Sequence, residues 1–179
     1  MRWFWIDRFT EFVSGKYATA VKNVALSEEP VDEYVPAVPL YPSTLIIEGF
    51  AQMGGLLINQ LSDFRERVLL GKVNRSRFYF EARPGDQLRM RVDLIGRQDG
   101  GGVVTGSATI DGRTQAEVEL MFVYLNLERF ADTPLFEPAG FCRVLRLLRV
   151  FDVGRYEDGS RIQIPPHLLE AERAEGLVV

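Results

Sequence analysis

The hydrophobic and polar residues of the chain follow two patterns. Helical spacing in one segment predicts one long helix, and alternation in other segments predicts a set of strands. Residues 43–59 are apolar on nearly every side, which is typical of a helix inside a protein core. A thin polar stripe crosses this segment at helical spacing and consists of Glu48, Gln52, Gly55 and Asn59. A carboxylate buried in such a helix is costly unless it is paired, hydrogen-bonded or protonated, so Glu48 is the first candidate for chemistry.

The remaining pattern predicts about five strands, mostly antiparallel, with the helix packed on one face of the sheet. The segments with strand character cover residues 17–26, 77–81, 88–94, 103–110 and 114–125. Asp111-Gly112 lies between two β-branched runs and predicts a hairpin. Residues 3–13 alternate aromatic and charged positions and fit either a short helix or a strand. Prolines make residues 27–42 a loop that delivers the chain to the helix, with Ser43 as the expected N-cap.

The sequence changes character after residue 129, where prolines and glycines interrupt the pattern. We therefore predict a main domain over residues 1–129 and a C-terminal extension over residues 130–179. In the extension, residues 141–151 have the spacing of a short basic helix, and Pro165-Pro166 is expected to end regular structure.

Composition and charge narrow the classes of function. A formal net charge of -4 and a sequence pI near 5.2 argue against a nucleic-acid-binding protein, which would present a basic face. Cys142 is the only cysteine, so neither an intrachain disulfide nor a cysteine zinc site is expected, and its thiol is predicted to be inert. The sequence has no cluster of metal ligands, so we expect neither a metal nor an organic cofactor. It has no apolar run long enough for a membrane span and no signal-peptide pattern, which predicts a cytoplasmic protein.

Two segments resemble a known family. Residues 34–43 read Tyr-Val-Pro-Ala-Val-Pro-Leu-Tyr-Pro-Ser, and the helix that follows contains Leu-Ile-Ile-Glu-Gly-Phe-Ala-Gln over residues 45–52. Residues 83–88 read Arg-Pro-Gly-Asp-Gln-Leu, which is similar to a turn that leads into a sheet strand of the same family. The family is that of the 3-hydroxyacyl-[acyl carrier protein] dehydratases (the FabZ/FabA group), whose motif is His-Phe-Pro-Gly-x-Pro-x-Met-Pro-Gly followed by a helix with Glu-Ala-Leu-Ala-Gln. The resemblance covers roughly residues 3–126 and leaves the extension outside.

This resemblance implies an α+β hotdog fold, in which an antiparallel sheet wraps around one long central helix and two subunits pair into a dimer. It implies an activity on fatty-acyl thioesters in lipid or polyketide synthesis, namely dehydration of a 3-hydroxyacyl group on acyl carrier protein or CoA. The acyl chain is expected in a tunnel between the subunits of a homodimer, or of a heterodimer with an active homologue. In the family, the motif histidine takes a proton from C2 of the substrate, and the helix carboxylate helps to protonate the departing C3 hydroxyl.

The family pattern assigns candidate roles by position. Glu48 matches the catalytic carboxylate, and Tyr34 stands where the family has its histidine. Because a phenol with an ordinary pKa of about 10 is a poor base, Tyr34 is either a replacement acid or base or a wall of the tunnel. The only histidine of the chain, His167, lies in the extension. The substrate-binding candidates are Ser43, whose backbone N–H would bind the thioester oxygen, Gln52, which would orient Glu48, and the tunnel residues Tyr41, Phe78 and Phe80.

Several functions remain open at this stage, including a structural dimer that binds no ligand. Beside dehydration, the chain could bind acyl thioesters without catalysis, or act as a hotdog thioesterase in which Glu48 is the base for water. Glu48 could equally be a buried acid paired with an arginine. Gly54-Gly55 inside the helix predicts close packing against a strand or a partner helix. The arginines that either receive an acidic carrier protein or form solvated surface are Arg75, Arg77, Arg143, Arg146 and Arg149.

Overall fold

The computed structural model describes residues 4–28, 31, 38–98, 100–125 and 136–176, in which seven strands form one sheet that packs on a long helix. The strands are β1 (Arg8–Val13), β2 (Tyr17–Asn23), β3 (Val68–Phe78), β4 (Gln87–Gln98), β5 (Gly101–Ile110), β6 (Arg113–Tyr124) and β7 (Gly154–Arg155). The helices are α1 (Ser43–Asn59), which continues into a 3-10 turn (Gln60–Ser62), α2 (Pro138–Leu147), α3 (Val150–Val153) and α4 (Pro166–Ala174). One long helix on a mostly antiparallel sheet is the α+β class predicted from the sequence, and that prediction is confirmed.

The order of strands in the sheet is β3-β6-β5-β4-β2-β1-β7, so β3 and β7 lie at its two ends. All neighbouring strands are antiparallel except β7, which runs parallel to β1. The hairpin predicted at Asp111-Gly112 is confirmed, because these two residues join β5 to β6 with φ angles of 50° and 77°. Two successive residues with positive φ suit the tight turns whose twist matches that of the flanking strands.

The inner side of α1 packs on the sheet and forms the centre of the core. Phe50, Met53 and Leu57 on this side are fully buried. Gly54 lies so close to β6 that an added Cβ would be 2.9 Å from the ring of Phe122. The close packing predicted for this glycine is therefore confirmed, and a glycine here lets the helix and the sheet approach each other.

The opposite side of α1 is open. Leu45, Glu48, Gln52 and Leu56 are only half-buried, and Thr44 is exposed. The expectation that Glu48 is buried is therefore wrong for the protomer, because the sheet covers one side of the helix and leaves this side accessible. The half-burial also changes the energetics, since a carboxylate with partial access to water does not bear the full cost of desolvation.

The strand β3 is an exposed edge that the sequence pattern did not show. Every residue from Leu69 to Arg77 is exposed, whereas the predicted strand over residues 77–81 overlaps β3 only at its end. The pairing of β3 with β6 shifts register between Leu70 and Lys72 and again between Val73 and Arg75. Such bulges interrupt the two-residue alternation of side chains, so the strand has no clear period in the sequence.

The extension covers the other edge of the sheet. The backbone N–H of Phe9 donates to the carbonyl oxygen of Leu148 at 2.9 Å, and the N–H of Ser14 donates to the carbonyl oxygen of Arg155 at 2.9 Å. Phe9 and Leu148 also belong to one hydrophobic cluster that spans the sheet and the described part of the extension. The exposed polar edge that β1 would otherwise present is therefore satisfied by the extension.

Two details of the extension differ from the prediction. The helix expected over residues 141–151 begins at Pro138 and is broken at Arg149, whose φ of 63° separates α2 from α3. The expectation that Pro165-Pro166 ends regular structure is wrong, because Pro166 is the first residue of α4. Proline suits this position since the first residue of a helix has no intrahelical partner for its N–H.

Candidate functional site

The site is centred on Glu48, on the open side of α1. The side-chain amide of Gln52, one helical turn further on, donates from Nε2 to Oε1 of Glu48 at 3.1 Å. Oε2 of Glu48 accepts no hydrogen bond from the described residues. The hydrogen bond from Gln52 therefore holds one oxygen of this carboxylate in place.

The orientation of Gln52 is fixed by the N-terminal segment. The backbone N–H of Trp5 donates to Oε1 of Gln52 at 3.0 Å, so the amide must present Nε2, and not its oxygen, to Glu48. The segment passes close over the helix, since a Cβ added at Gly49 would lie 3.0 Å from the carbonyl oxygen of Trp5. The predicted role of Gln52 in orienting Glu48 agrees with this geometry, and the contribution of Trp5 could not be read from the sequence.

The start of α1 lies five residues before Glu48, about 7.5 Å along the helix axis. Pro42 occupies the N-cap position, and no side chain caps the helix by a hydrogen bond. The expectation that Ser43 is the N-cap is therefore wrong, because Ser43 is the first helical residue. The first turn also carries no acidic side chain, so the partial positive charge of the helix start faces no carboxylate of its own. Such a terminus suits a bound oxygen with developing negative charge.

Tyr41 enters the core immediately before the helix, where it is only 2% exposed. Its ring packs edge-on against Trp5 with 6.4 Å between centroids, and the ammonium group of Lys22 lies 5.7 Å from its ring centroid. The hydroxyl has no hydrogen-bond partner among the described residues. Burial, with smaller contributions from Glu28 and Asp7, raises the pKa of Tyr41 far above its ordinary value, so the phenol stays protonated.

The cationic neighbour of Tyr41 is itself buried and was missed by the sequence analysis. Lys22 on β2 is 6% exposed and is held by Glu28 at 2.9 Å and by Asp7 at 3.8 Å. A lysine near the end of a strand is normally exposed, so no local pattern distinguishes this one. The ion pairs join the N-terminal segment, β2 and the beginning of the loop that leads to α1.

The two aromatic tunnel candidates lie where β3 ends. Phe78 and Phe80 are half-buried and pack against the core, and the guanidinium of Arg113 lies 4.8 Å from the ring centroid of Phe80. Two residues further on, the N–H of Tyr41 donates to the carbonyl oxygen of Ala82 at 2.8 Å. This bridge joins the segment after β3 to the residues that lead into α1, so both segments flank the helix start.

The structure thus brings together most of the candidates taken from the sequence. Ser43 is the first residue of α1, Glu48 and Gln52 follow on the same helix, and Tyr41 lies two residues before its start. Tyr34 lies outside the described residues. Chemically, the arrangement offers a positioned carboxylate and, five residues before it on the same helix, a positive helix start, and these two groups suit proton transfer next to a carbonyl oxygen.

The arginines considered for carrier binding divide into two groups. On the extension, Arg143 pairs with Glu175 at 2.9 Å, and Arg146 pairs with Glu172 at 2.8 Å. Arg149, also on the extension, pairs with Asp152. The second group, Arg75 and Arg77, lies on the exposed strand β3. Burial, followed by the hydrogen bond to Glu172, raises the pKa of the Cys142 thiol to about 11, which agrees with an inert cysteine.

Two further properties concern the described residues only. Among them, no group of three or more histidine, cysteine, aspartate or glutamate side chains is placed to hold a metal ion. Within the same part of the chain, no helix is both long and apolar enough to cross a membrane.

Comparison with solved structures identifies the fold. The chain superposes on an uncharacterized protein from Pyrococcus horikoshii with a TM-score of 0.57 and 17% identity, over 71% of this chain and 88% of that one. It also resembles a hypothetical thioesterase with coenzyme A from Streptococcus pneumoniae, with a TM-score of 0.54 and 9% identity, over 65% and 84% of the two chains. The dehydratase heterocomplex ApeI:P from Xenorhabdus doucetiae gives a TM-score of 0.51 and 14% identity, over 62% and 89%. The predicted hotdog fold is confirmed.

Comparison of sequences identifies the family. The model of the FabA-like domain matches residues 3–119. A 3-hydroxyacyl-[acyl-carrier-protein] dehydratase FabZ from Clostridium botulinum is 35% identical over 119 residues, which are 66% of this chain and 83% of that protein. The FabZ of Halalkalibacterium halodurans is 34% identical over 118 residues, 65% of this chain and 84% of that protein. The chain therefore belongs to the FabA-like family, and the resemblance seen in the sequence is confirmed.

Proposed function

We propose that the protein dehydrates 3-hydroxyacyl thioesters to 2-enoyl thioesters, with Glu48 as the residue that moves the protons. The observation that carries the proposal is the carboxylate of Glu48, accessible on the open side of α1 and oriented by an anchored Gln52. Membership of a family whose relatives include named FabZ dehydratases supports the same reaction. We infer that the acyl group arrives on acyl carrier protein or CoA, in the cytoplasm.

In the proposed reaction, the carboxylate of Glu48 acts first as a base and then as an acid. Oε2 of Glu48 accepts the proton that leaves C2, and the electrons of that C–H bond form the C2=C3 double bond. The C3–O bond breaks, the hydroxyl takes the proton back from Glu48, and water leaves. The carboxylate is regenerated, so the step is balanced without a cofactor. A single acid–base group is proposed because the position of the family histidine holds Tyr34, and an ordinary phenol is a poor base near neutral pH.

The start of α1 supplies the second element of the proposal. As the C2 proton leaves, negative charge develops on the thioester oxygen. The backbone N–H of Ser43, at the uncapped start of α1, is proposed to donate a hydrogen bond to that oxygen. Tyr41, Phe78 and Phe80 are proposed to border the acyl group, since all three flank the helix start.

A direct assay tests the reaction. Purified protein is incubated with a 3-hydroxyacyl pantetheine thioester, and the absorbance of the 2-enoyl product is followed. Replacing Glu48→Gln should lower kcat by about a hundredfold to ten-thousandfold, which is the usual contribution of a general acid–base group. The matched control is Glu81→Gln, which changes an exposed glutamate outside α1 and should leave kcat unchanged. Release of free thiol in place of the enoyl product would refute dehydration, and so would equal rates for both variants.

The role of Tyr34 separates catalysis from binding alone. If the native protein turns over through Glu48, Tyr34→His should add a second base and raise kcat by about a hundredfold or more. If the native protein binds the thioester but does not turn over, and only Tyr34→His is active, the proposal of native catalysis is wrong. The chain would then be an acyl-binding subunit.

We also propose a homodimer formed through β3. This strand is exposed along nearly its whole length, and Leu69, Leu70 and Val73 are 37%, 38% and 38% exposed. An exposed edge with apolar side chains readily pairs with another strand, and a two-fold axis would place β3 beside its own copy. The positive charges of the strand do not oppose this, since Arg75 and Arg77 lie opposite Glu119 and Glu117 of β6.

Light scattering after gel filtration tests the dimer. The native protein should have twice the protomer mass of 20.3 kDa. Leu70→Asp places a charge on the exposed edge and should give the protomer mass. The matched control is Ile95→Asp, because Ile95 is 58% exposed on β4 and away from the edge. A native protein with the protomer mass would contradict the proposal, and so would two variants that behave alike.

A further inference from the structure

The N-terminal segment (residues 5–7) connects α1 to β2. At its first position, the backbone N–H of Trp5 donates to Oε1 of Gln52 on α1 at 3.0 Å. In the middle, Ile6 is 2% exposed and packs into the core. At the end, the backbone N–H of Asp7 donates to a carbonyl oxygen of β2 at 2.8 Å. Each of the three residues therefore has its own contact with the rest of the fold.

The side chain of Asp7 fastens the end of this segment to β2. Its Oδ2 accepts a hydrogen bond from the backbone N–H of Asn23 at 2.8 Å and another from Nδ2 of Asn23 at 2.6 Å. The ammonium group of Lys22 lies 3.8 Å from Oδ1 of the same carboxylate. Hydrogen bonds to an ionised group are about twice as strong as those between neutral groups. The carboxylate of Asp7 therefore adds a firm attachment to the single backbone bond.

The same arrangement of an amide and a carboxylate occurs at both ends of the segment. Gln87 donates from Nε2 to Oδ1 of Asn23 at 2.9 Å, so the nitrogen of that amide faces Asp7. In the same way, the N–H of Trp5 occupies the oxygen of the Gln52 amide, whose nitrogen faces the carboxylate on α1. An amide turned by 180° would present its oxygen to a carboxylate, and neither group could donate. The orientation of Gln52 thus depends on where the segment places the N–H of Trp5.

The segment lies against α1 at Gly49. A Cβ added at Gly49 would lie 3.0 Å from the carbonyl oxygen of Trp5 and 3.1 Å from Cε of Met90. The end of a methionine side chain is flexible and can move aside, whereas the carbonyl oxygen moves only with the segment. An alanine at this position would therefore push the segment away from α1 and lengthen the hydrogen bond from Trp5 to Gln52.

We propose that Asp7 is a positioning residue for Glu48. It fixes the segment on β2, the segment places the N–H of Trp5, this N–H orients Gln52, and Gln52 holds the carboxylate. The inference rests on the dehydration proposed for Glu48 and adds that the geometry of the carboxylate is set in part from β2. Displacement of a reacting group by about 1 Å can lower a rate about a hundredfold, so a contact remote from the substrate can control kcat.

Steady-state kinetics with the 3-hydroxyacyl pantetheine thioester test this role. Asp7→Ala changes an exposed side chain and should lower kcat about tenfold to a hundredfold with little change in KM, because the misplaced carboxylate affects the chemical step. Asp7→Asn retains an oxygen that can accept from Asn23 and should stay close to the native kcat. The matched control is Asp158→Ala on the extension, where Oδ1 likewise accepts from a backbone N–H and a side chain, both of Ser160. Its kcat should equal that of the native protein.

A second pair of variants and a double-mutant cycle separate positioning from a general loss of structure. Gly49→Ala should lower kcat as Asp7→Ala does, whereas Gly55→Ala should not, since a Cβ there has its nearest neighbour at 3.5 Å. In a Gln52→Met background, Asp7→Ala and Gly49→Ala should have no further effect on kcat, because the group through which they act is gone. Losses that multiply in this background would overturn the inference, and so would a native kcat in Asp7→Ala.

Hydrogen exchange of the Trp5 amide, followed by nuclear magnetic resonance, needs no substrate. The exchange should be about tenfold faster in Asp7→Ala and in Gln52→Met than in the native protein, as expected for the loss of one hydrogen bond, and unchanged in Asp158→Ala. Native exchange in Asp7→Ala would overturn the inference whatever the rates of turnover. A native protein that gives no enoyl product would refute the dehydration proposed for Glu48, and the exchange rates alone would then decide whether Asp7 positions Gln52.

Discussion

The two adjacent glycines of α1 should respond oppositely to alanine. Either substitution gains about 1 kcal/mol from the higher helix propensity of alanine. The new methyl groups meet different surroundings. At Gly54 the Cβ would lie 2.9 Å from two ring atoms of Phe122 and 3.0 Å from a methyl of Val104, whereas at Gly55 its nearest neighbour is the Phe122 ring at 3.5 Å. The first contact is a clash and the second is ordinary packing.

The magnitudes follow from these contacts. Phe122 is 2% exposed and Val104 is fully buried, so neither can move away without disturbing the core. Overpacking of this kind costs about 1–3 kcal/mol. Gly54→Ala should therefore be destabilised by up to about 2 kcal/mol, and Gly55→Ala should be stabilised by up to about 1 kcal/mol. The difference in the free energy of unfolding between the two variants depends only on the contacts of the new methyl groups, because both variants have the same gain in helix propensity.

Urea unfolding followed by circular dichroism measures the difference. The protomer concentration is held equal, because the stability of a dimer depends on it. With a urea slope of about 2 kcal/mol per molar, the midpoint of Gly54→Ala should lie about 1 M below that of Gly55→Ala. Phe122→Leu combined with Gly54→Ala should relieve the clash and give a favourable coupling energy. Equal midpoints for the two alanine variants would refute the reasoning.

Three further predictions concern ionisable groups. The hydrogen bond from Arg146 lowers the pKa of Glu172, so the ionised Glu172 stabilises the fold at neutral pH, and this stabilisation is lost as the pH falls below the ordinary value of 4.5. In urea unfolding, Glu172→Gln should therefore make the free energy of unfolding depend less on pH below that value. Burial and Arg65 lower the pKa of His167, so nuclear magnetic resonance titration should find it below 6.5, and Arg65→Gln should raise it. Stability should fall as the pH drops from 6.5 toward the lowered value, because the unfolded chain takes up the proton first. Lys22→Met leaves the carboxylate of Glu28 without its cation and should lower the thermal midpoint, and an unchanged midpoint would contradict the importance of that pair.

The features that the sequence predicted correctly depend on local pattern. The helix over residues 43–59 was visible because its apolar residues are continuous, and the hairpin at Asp111-Gly112 was visible because turn chemistry is short-range. The candidate role of Glu48 comes from the spacing of the family motif and stays a prediction. Each of these depends on residues close together in the chain.

The features that were missed depend on contacts between distant residues or on ambiguous signals. Proline both ends and begins helices, so Pro165-Pro166 is an ambiguous signal, and the prediction that it ends regular structure is wrong. The half-burial of Glu48 could not be predicted, because an apolar pattern does not reveal which side of a helix the sheet covers. A cavity between the 3-10 turn and the extension is lined by both Asn59 and His167, which are more than a hundred residues apart, and no local pattern connects them.

The backbone hydrogen bonds by which Leu148 and Arg155 cover the edge of β1 have a consequence for assembly. Among the described residues, β3 is then the one long strand that leaves its outer edge exposed. Two copies joined through β3 would leave the two-residue strand β7 at each end of the joined sheet, which is too short to pair with a further copy, so addition would stop at two instead of continuing into a fibre. Removal of the extension would expose the edge of β1, and a dimer with that edge exposed could add further copies and polymerise.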